Sequence, residues 1–207
     1  MNIYFARHGQ TNWNKRLRLQ GQVDIPLAIE GIQQAEVTAE GMAEIPFDCI
    51  FTSPLKRASA TAAILRNGRD IPIIKDERLK EMGFGIAEGR LVHKIKENPA
   101  LVRYQRLFND PAHFHPLKHG ERFESLLKRT DEFFKEEILP LEGKMDNILI
   151  IAHGCVIRSF LVNLNHRSLD DFWKTPFGKN CSTALFECQG GQVTMIYENK
   201  LYYQQDV

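Results

Sequence analysis

The chain has 207 residues, and its 27 lysines and arginines nearly balance its 26 aspartates and glutamates, which leaves a net charge of +1. This length suits one α/β domain, which buries about 70% of its unfolded surface without a disulfide or metal to stabilise it. A charge so close to zero creates no global field that would attract nucleic acid or an anionic membrane. Selectivity for an anion must therefore come from a local cluster of charged side chains.

Cysteine spacing and hydropathy exclude further classes of protein. The four cysteines form no Cys-x-x-Cys pair, which argues against a zinc site and favours free thiols in a reducing compartment. No apolar run approaches the ~20 residues of a membrane-spanning helix, and a strand begins at once without a signal peptide. We therefore expect a cytoplasmic protein with a small-molecule partner, and no nucleic-acid or membrane partner. The sequence predicts no oligomeric state.

The N-terminal segment combines a short strand with a polar turn. Residues Asn2 to Ala6 are mostly apolar or aromatic and predict a strand, after which Arg7 and His8 follow. Ligands of open α/β sheets bind at the carboxyl ends of the strands. Arginine offers a fork of donors that matches a phosphate, and a histidine nitrogen can attack phosphorus near neutral pH. Thr11 and Asn14 add short polar groups within one turn.

A second strand is followed by the same kind of turn. Residues Asn147 to Ala152 form an unbroken apolar run, which is typical of a central strand. His153 and Gly154 come directly after it, and a helix is predicted from Val156 to Asn163. An imidazole just before a helix N-terminus is well placed to donate to an anion in the same crevice.

A third segment also places a cation at the start of a helix. Phe47 to Thr52 predict a buried strand, with Ser53 as the N-cap and Pro54 as the first residue of a helix that extends to about Arg66. Arg57 then falls in the first helical turn, where the helix dipole and free N–H groups already favour an anion.

Together these segments resemble a known family. The runs R-H-G-Q-T-N-W-N at 7–14 and S-P-L-K-R-A at 53–58, with the His-Gly at 153–154, are similar to the signatures of the histidine phosphatase superfamily, also called phosphoglycerate-mutase-like. The resemblance covers about residues 1–90 and 120–200. It implies a three-layer α/β/α sandwich with a mostly parallel central sheet, forming a single domain over 1–207. A small helical cap insertion is expected at about 91–123.

The resemblance also implies roles for individual residues. His8 would be the nucleophile, while Arg7, Arg57 and His153 would hold the phosphoryl oxygens. Glu81, in a run similar to the family's L-x-E-x-x-F-G-x-x-E-G element, would donate a proton to the leaving group. Because guanidinium groups and an imidazole hold the charge, the implied chemistry needs no metal or other cofactor. The predicted substrate-binding residues are Thr11, Asn14, Gln20, Gly21 and Gly154.

Two parts of the sequence depart from the family pattern. Ala87 stands where most members have tryptophan, which predicts the loss of an aromatic wall near the mouth of the site, while Glu88 is expected to orient its loop. The cap segment is the other departure, and its Lys94, Arg103 and Arg106 are better explained as solvated than as ligands of a substrate. The loop of this cap segment contains three histidines, His113, His115 and His119. Their spacing matches no known metal site, so no metal is predicted there.

The predicted function is metal-independent hydrolysis of small phosphorylated metabolites through a phosphohistidine intermediate. A cofactor-dependent phosphoglycerate mutase is the alternative enzyme, less favoured because mutases carry a longer basic insertion and a longer C-terminal lid. A non-catalytic module that binds a phosphorylated ligand is a third possibility, but this chain keeps both the nucleophile and the acid. Sugar phosphates, an α-ribazole phosphate, nucleotides and phosphoglycerate all remain open as substrates.

Overall fold

A six-stranded sheet forms the centre of the computed structural model, which describes residues 1–97, 102–174 and 178–203. The strand order is β3-β2-β4-β1-β5-β6; the first four of these strands are parallel, and β5 and β6 pair antiparallel at one edge. The strands are β1 (Asn2–Arg7), β2 (Cys49–Thr52), β3 (Ile73–Lys75), β4 (Asn147–Ala152), β5 (Thr183–Gln189) and β6 (Gln192–Lys200). The strands predicted at 2–6, 47–52 and 147–152 are therefore confirmed, with β2 beginning at Cys49. Residues 184–187 and 192–198 also predict strands of a final hairpin, and β5 and β6 form it.

Seven α-helices occur in the described residues and cover both faces of the sheet. They are α1 (Asn12–Lys15), α2 (Ile29–Gly41), α3 (Lys56–Leu65), α4 (Val92–Glu97), α5 (Val102–Asn109), α6 (Phe123–Phe133) and α7 (Gly154–Leu164). Because side chains alternate along a strand, Ile3 and Phe5 of β1 pack with the α6 and α7 layer, while Tyr4 and Ala6 pack with α2 and α3. This confirms the three-layer α/β/α architecture.

Two helices begin at residues other than those predicted. Helix α3 begins at Lys56 rather than at Pro54, because the Asp24 carboxylate, and not Ser53, accepts a hydrogen bond from the first helical N–H, that of Lys56 (2.7 Å). The Ser53 hydroxyl instead lies 2.8 Å from His153 Nε2. Helix α7 begins at Gly154, earlier than predicted, so that His153 is its N-cap residue.

The segment between β3 and α6 contains two short helices and packs on the apolar core. Tyr104 and Leu107 of α5 and Ile95 of α4 are fully buried in the same cluster as the α6 and α7 side chains. The spacing of apolar residues over 99–108 predicts a helix, which is observed from Val102 onward, while residues 98–101 lie outside the described part of the chain. The sequence also predicts a short helix over 169–176. A 3₁₀ turn at Leu169–Asp171 is observed there, and residues 175 and 176 lie outside the described part of the chain.

The apolar spacing after Gly120 predicts a helix to about Ile138, where Pro140 would end it. Helix α6 continues into a π-helical turn at Phe134–Ile138 and then into a 3₁₀ turn at Leu139–Leu141. None of the described helices has the length and apolarity required to cross a bilayer. All four cysteines are buried and unpaired, as expected from their spacing. In the described residues, no three His, Cys, Asp or Glu side chains come together in a way that could hold a metal ion.

Candidate active site

The carboxyl ends of three neighbouring strands bring the predicted residues to one edge of the sheet. Arg7 ends β1 and pairs in register with Ala152, the residue before His153. Thr52 ends β2 and pairs with Ile151 of β4. Parallel pairing therefore places the polar turns after β1, β2 and β4 side by side, although they are about 45 to 145 residues apart in sequence.

The His8 imidazole is buried and has a defined hydrogen-bonding pattern. Its Nδ1 lies 2.7 Å from the carbonyl oxygen of Gly9, and since a carbonyl only accepts, Nδ1 must carry the proton. The other nitrogen, Nε2, then has a free lone pair, and no described residue hydrogen-bonds to it. The side chain is only 2% exposed. The loop therefore holds His8 in the tautomer that a nucleophilic Nε2 requires.

Electrostatics keep this imidazole neutral. Burial lowers the pKa of His8 well below its ordinary value of 6.5, and the nearby Arg57 and Arg7 guanidinium groups lower it further. Of these causes, burial makes the largest contribution to the lowered pKa. A neutral His8 is the form that can attack an electrophile.

Two arginines beside His8 each have a buried donor without a partner. Arg57 is fully buried; its Nη1 and Nη2 donate to the carbonyl oxygens of Val23 (2.9 Å) and Gly21 (2.7 Å), while its Nε has no partner among the described residues. Arg7 donates through Nη1 to the Gly178 carbonyl, and its buried Nε is likewise unpartnered in the described chain. Buried donors are normally satisfied, so two unpartnered guanidinium N–H groups beside a neutral imidazole suit a bound anion.

His153 lies against His8, with the two ring centroids 5.1 Å apart. It is fully buried, its Nε2 is hydrogen-bonded to Ser53, and its Nδ1 has no partner among the described residues. Burial, and then the charge of Arg57, lower the pKa of His153 well below 6.5. A neutral imidazole with one nitrogen fixed and the other unpartnered can hold an oxygen atom of an anion.

Glu81 faces this group from the opposite loop and is 8% exposed. Its Oε1 accepts hydrogen bonds from the backbone N–H of Met82 (2.8 Å) and Cys155 (3.2 Å). The N–H of Cys155, in the first turn of α7, therefore orients Glu81. The neighbouring Cys155 thiol is buried, and burial raises its pKa well above 9.0, so it stays a weak nucleophile.

Thr11 does not line the cavity, which corrects its predicted role in binding substrate. It is fully buried and caps α1, where its hydroxyl accepts a hydrogen bond from the Asn14 N–H (3.1 Å). The same hydroxyl lies 3.0 Å from the Gln20 side-chain oxygen. Thr11 therefore positions two other predicted residues, Asn14 and Gln20, which do line the cavity together with Gly21 and Gly154.

Two further carboxylates, Glu88 and Glu121, fix the Glu81 loop. The Glu88 carboxylate accepts hydrogen bonds from the N–H groups of Gln22 (3.0 Å) and Phe84 (2.9 Å), which confirms its predicted orienting role. Gly21 has a φ of +55°, and a Cβ there would collide with Glu88. Behind the loop, Glu121 accepts from the Gly83 N–H (3.1 Å) and pairs with Arg129 (2.7 Å).

The cavity above these residues has a volume of about 280 Å³. Ala87 is buried in the core and does not line it, so the expectation of a lost aromatic wall is wrong: aromatic lining comes from three residues elsewhere in the chain. Lys94, Arg106 and the cap histidines also do not line it, while the Arg103 side chain lies outside the described part of the structure. The lining residues that sequence reasoning missed include Arg18, Phe84, Phe108, Arg158 and Trp173.

The two buried histidines make stability depend on pH. Their pKa values are lowered on folding, so the unfolded chain binds more protons below pH 6.5 and folding is weakened as the pH falls. We expect the free energy of unfolding to fall between pH 7 and 5, by up to about 1.4 kcal/mol per pH unit for each histidine, and the thermal midpoint to fall with it. The double variant His8→Gln/His153→Gln should show a flatter dependence in thermal melts; an unchanged slope would contradict this.

A neutral imidazole, unpartnered cationic donors and a carboxylate at the carboxyl edge of an α/β sheet define a phosphoryl-transfer enzyme. The model of the histidine phosphatase superfamily (branch 1) matches residues 3–200. The chain therefore belongs to the histidine phosphatase superfamily, which confirms the resemblance of its motifs, and it is a phosphatase of the hydrolase class.

Individual proteins are similar over most of their length. The solved structure of YhfR from Bacillus stearothermophilus matches with a TM-score of 0.90 and 31% identity, covering 97% of this chain and 98% of that chain. Phosphoserine phosphatase from Entamoeba histolytica, solved as a mutant in complex with phosphoserine, matches with a TM-score of 0.81 and 26% identity over 96% of each chain. A 2,3-bisphosphoglycerate-dependent phosphoglycerate mutase from Cytophaga hutchinsonii is 31% identical over 174 residues, which are 82% of this chain and 79% of the mutase.

Proposed function

We propose that the protein hydrolyses small phosphomonoesters through a phosphohistidine formed on His8. The observation that carries this proposal is the neutral, buried imidazole whose Nε2 lone pair is free beside the unpartnered donors of Arg7 and Arg57. Burial lowers the pKa of Arg57 to about 10, so this guanidinium still carries its positive charge near neutral pH. The buried, unpaired cysteines also favour a reducing compartment, and we place the activity in the cytoplasm.

In the first step, Arg7, Arg57 and His153 hold the three equatorial oxygens of the phosphoryl group, over which the negative charge is spread. His8 Nε2 attacks phosphorus in line as the ester P–O bond breaks. Glu81, protonated at this stage, gives its proton to the departing alkoxide. The products are a free alcohol, a phosphohistidine and an ionised Glu81.

In the second step, the Glu81 carboxylate takes a proton from a water molecule, which attacks the phosphohistidine. The P–N bond breaks, inorganic phosphate leaves, and both His8 and Glu81 return to their starting protonation states. The hydrogen bonds from Met82 and Cys155 to Glu81 Oε1 hold the carboxyl group in one orientation in both steps.

The proposal is tested by measuring phosphate released from a panel of phosphomonoesters, with parallel trapping of ³²P on the enzyme. We expect release of inorganic phosphate, together with an adduct that is labile in acid and stable in base, as a phosphohistidine is. Release that stops completely when a chelator is added would contradict a mechanism that uses only side-chain cations.

Phosphoglycerate mutase activity is the second candidate, because one relative at 31% identity carries that name. A mutase would share the phosphohistidine but return the phosphoryl group to the substrate. Incubation with 3-phosphoglycerate and a trace of 2,3-bisphosphoglycerate separates the two activities. Formation of 2-phosphoglycerate faster than release of inorganic phosphate would favour the mutase.

A further inference from the structure

Arg158 is a cavity residue that the proposed mechanism does not use. It lies on α7, one helical turn beyond Gly154, and therefore faces the same edge of the sheet. Its Nε is buried and has no hydrogen-bond partner among the described residues. Its Nη1 makes only a long contact, 3.4 Å, with the Gly154 carbonyl oxygen. Arg158 as a whole is half-buried, but a buried N–H without an acceptor is costly, which points to a ligand that supplies one.

The guanidinium group is held in place by a fixed aromatic ring. Its central carbon lies 5.1 Å from the centroid of the Trp173 ring. Trp173 in turn donates a hydrogen bond from Nε1 to the Leu107 carbonyl (2.5 Å), and its ring packs at 5.4 Å from that of Phe108. Stacking leaves the edge of the planar donor fork available, which is the arrangement that binds a carboxylate or phosphate through two parallel hydrogen bonds.

The charge of the cavity exceeds what one phosphoryl group requires. Among its lining residues are four arginines, Arg7, Arg18, Arg57 and Arg158, against the single carboxylate of Glu81. Within the described residues, no carboxylate forms an ion pair with Arg158. Burial and the like charge of Arg7 lower the pKa of Arg158, and the more distant Glu81 and Glu198 carboxylates offset part of this. A phosphate dianion held by Arg7 and Arg57 would leave the Arg158 fork without an acceptor of its own.

We propose that the substrate carries a second anionic group, a carboxylate or another phosphate, which the Arg158 fork binds beside Trp173. This inference rests on the proposed phosphatase function and narrows its substrate class. Phosphorylated hydroxy acids and bisphosphates fit, because they place a second negative charge on the leaving group. Esters whose leaving group is an uncharged alcohol leave Arg158 without a partner and are poorer substrates.

The test compares two substrates that differ only in this group, 3-phosphoglycerate and glycerol 3-phosphate, by the kcat/KM for phosphate release. The wild-type enzyme should prefer 3-phosphoglycerate. In Arg158→Met, which keeps the length of the side chain and its contact with the indole, the ratio of the two kcat/KM values should fall roughly 10–100-fold, because charge-assisted hydrogen bonds are lost. Arg158→Lys should be intermediate. Arg106→Met, an exposed arginine outside the cavity, is the matched control and should keep the wild-type ratio.

An effect on folding or on the chemical step lowers kcat/KM for both substrates alike, so it cancels in the ratio. An equal loss of kcat/KM with both substrates would overturn the proposal and assign Arg158 to the transferred phosphoryl group. A wild-type enzyme that prefers neither substrate would also overturn the proposal. Binding to His8→Ala, measured by calorimetry with and without Arg158→Met, gives a readout that needs no turnover. If His8→Ala binds 3-phosphoglycerate more tightly than glycerol 3-phosphate, and Arg158→Met abolishes this preference, the subsite is supported even if the chain proves not to hydrolyse esters. If His8→Ala shows no such preference, the subsite is overturned but the proposed hydrolysis is not.

Discussion

Replacement of His8 by alanine is expected to reduce phosphate release by roughly 10⁴–10⁶-fold, the scale seen when a covalent nucleophile is removed. The reason is that no other group at the site can take its place. His153 is fixed through Nε2 to Ser53, and burial raises the pKa of the Cys155 thiol well above 9.0. The arginines and Glu81 remain, so substrate should still bind. The measurement is kcat for a reactive ester, together with ³²P incorporation.

The matched control for this experiment is His113→Ala, which removes an exposed imidazole that pairs with Asp110 outside the cavity. This variant should keep both turnover and the labelled adduct. An adduct that still forms on His8→Ala, or turnover that falls less than about 10-fold, would place the nucleophile elsewhere and remove the basis of the proposed mechanism.

Replacement of Glu81 by glutamine should lower kcat/KM for alkyl phosphates by roughly 10²–10⁴-fold, the usual contribution of a general acid. Glutamine is chosen because its side-chain oxygen can still accept the hydrogen bonds that Oε1 accepts from Met82 and Cys155. The geometry of the loop is then preserved, while the ability to give up a proton is lost. An ester whose leaving group needs no proton depends less on a general acid. The loss of kcat/KM with p-nitrophenyl phosphate should therefore be much smaller.

The comparison uses kcat/KM because this parameter reports the steps up to the first irreversible one, and so does not include the later attack of water. Glu88→Gln is the matched control, since Glu88 orients the same region through backbone N–H groups and does not line the cavity. Glu88→Gln should change kcat/KM for alkyl and p-nitrophenyl esters by the same factor. Equal losses for Glu81→Gln with alkyl and p-nitrophenyl esters would exclude Glu81 as the acid.

The fold and most of the site residues could be predicted because their signals are local. Apolar runs such as that before His153 define strands, and the position of a polar residue directly after a strand fixes the edge of the sheet to which it belongs. Arg7, His8, Arg57 and Glu81 stand at such positions or in short signature runs, and all of them line one cavity. Their chemical roles remain predictions until the variants are measured.

The remaining features depend on contacts between distant side chains, which no local pattern records. Trp173 reaches the cavity because α5 accepts its indole hydrogen bond, and Ala87 leaves the wall intact because Phe84, Phe108 and Trp173 form it. Thr11 lies in a signature run, but burial turns it toward Gln20. Only Arg158 had a usable sequence signal, since it follows Gly154 by four residues on the same helix.

The position of β1 between β4 and β5 has a consequence for the protein during its synthesis. The backbone carbonyl of His8 accepts a hydrogen bond from the Asn180 side chain (2.9 Å), and Arg7 donates to the Gly178 carbonyl, so groups that lie 172 and 171 residues apart in sequence complete one site. The nucleophile is therefore synthesised well before the groups that orient it. Because such distant pairings form late in folding, the site is assembled only after the segment that contains Asn180 has been made.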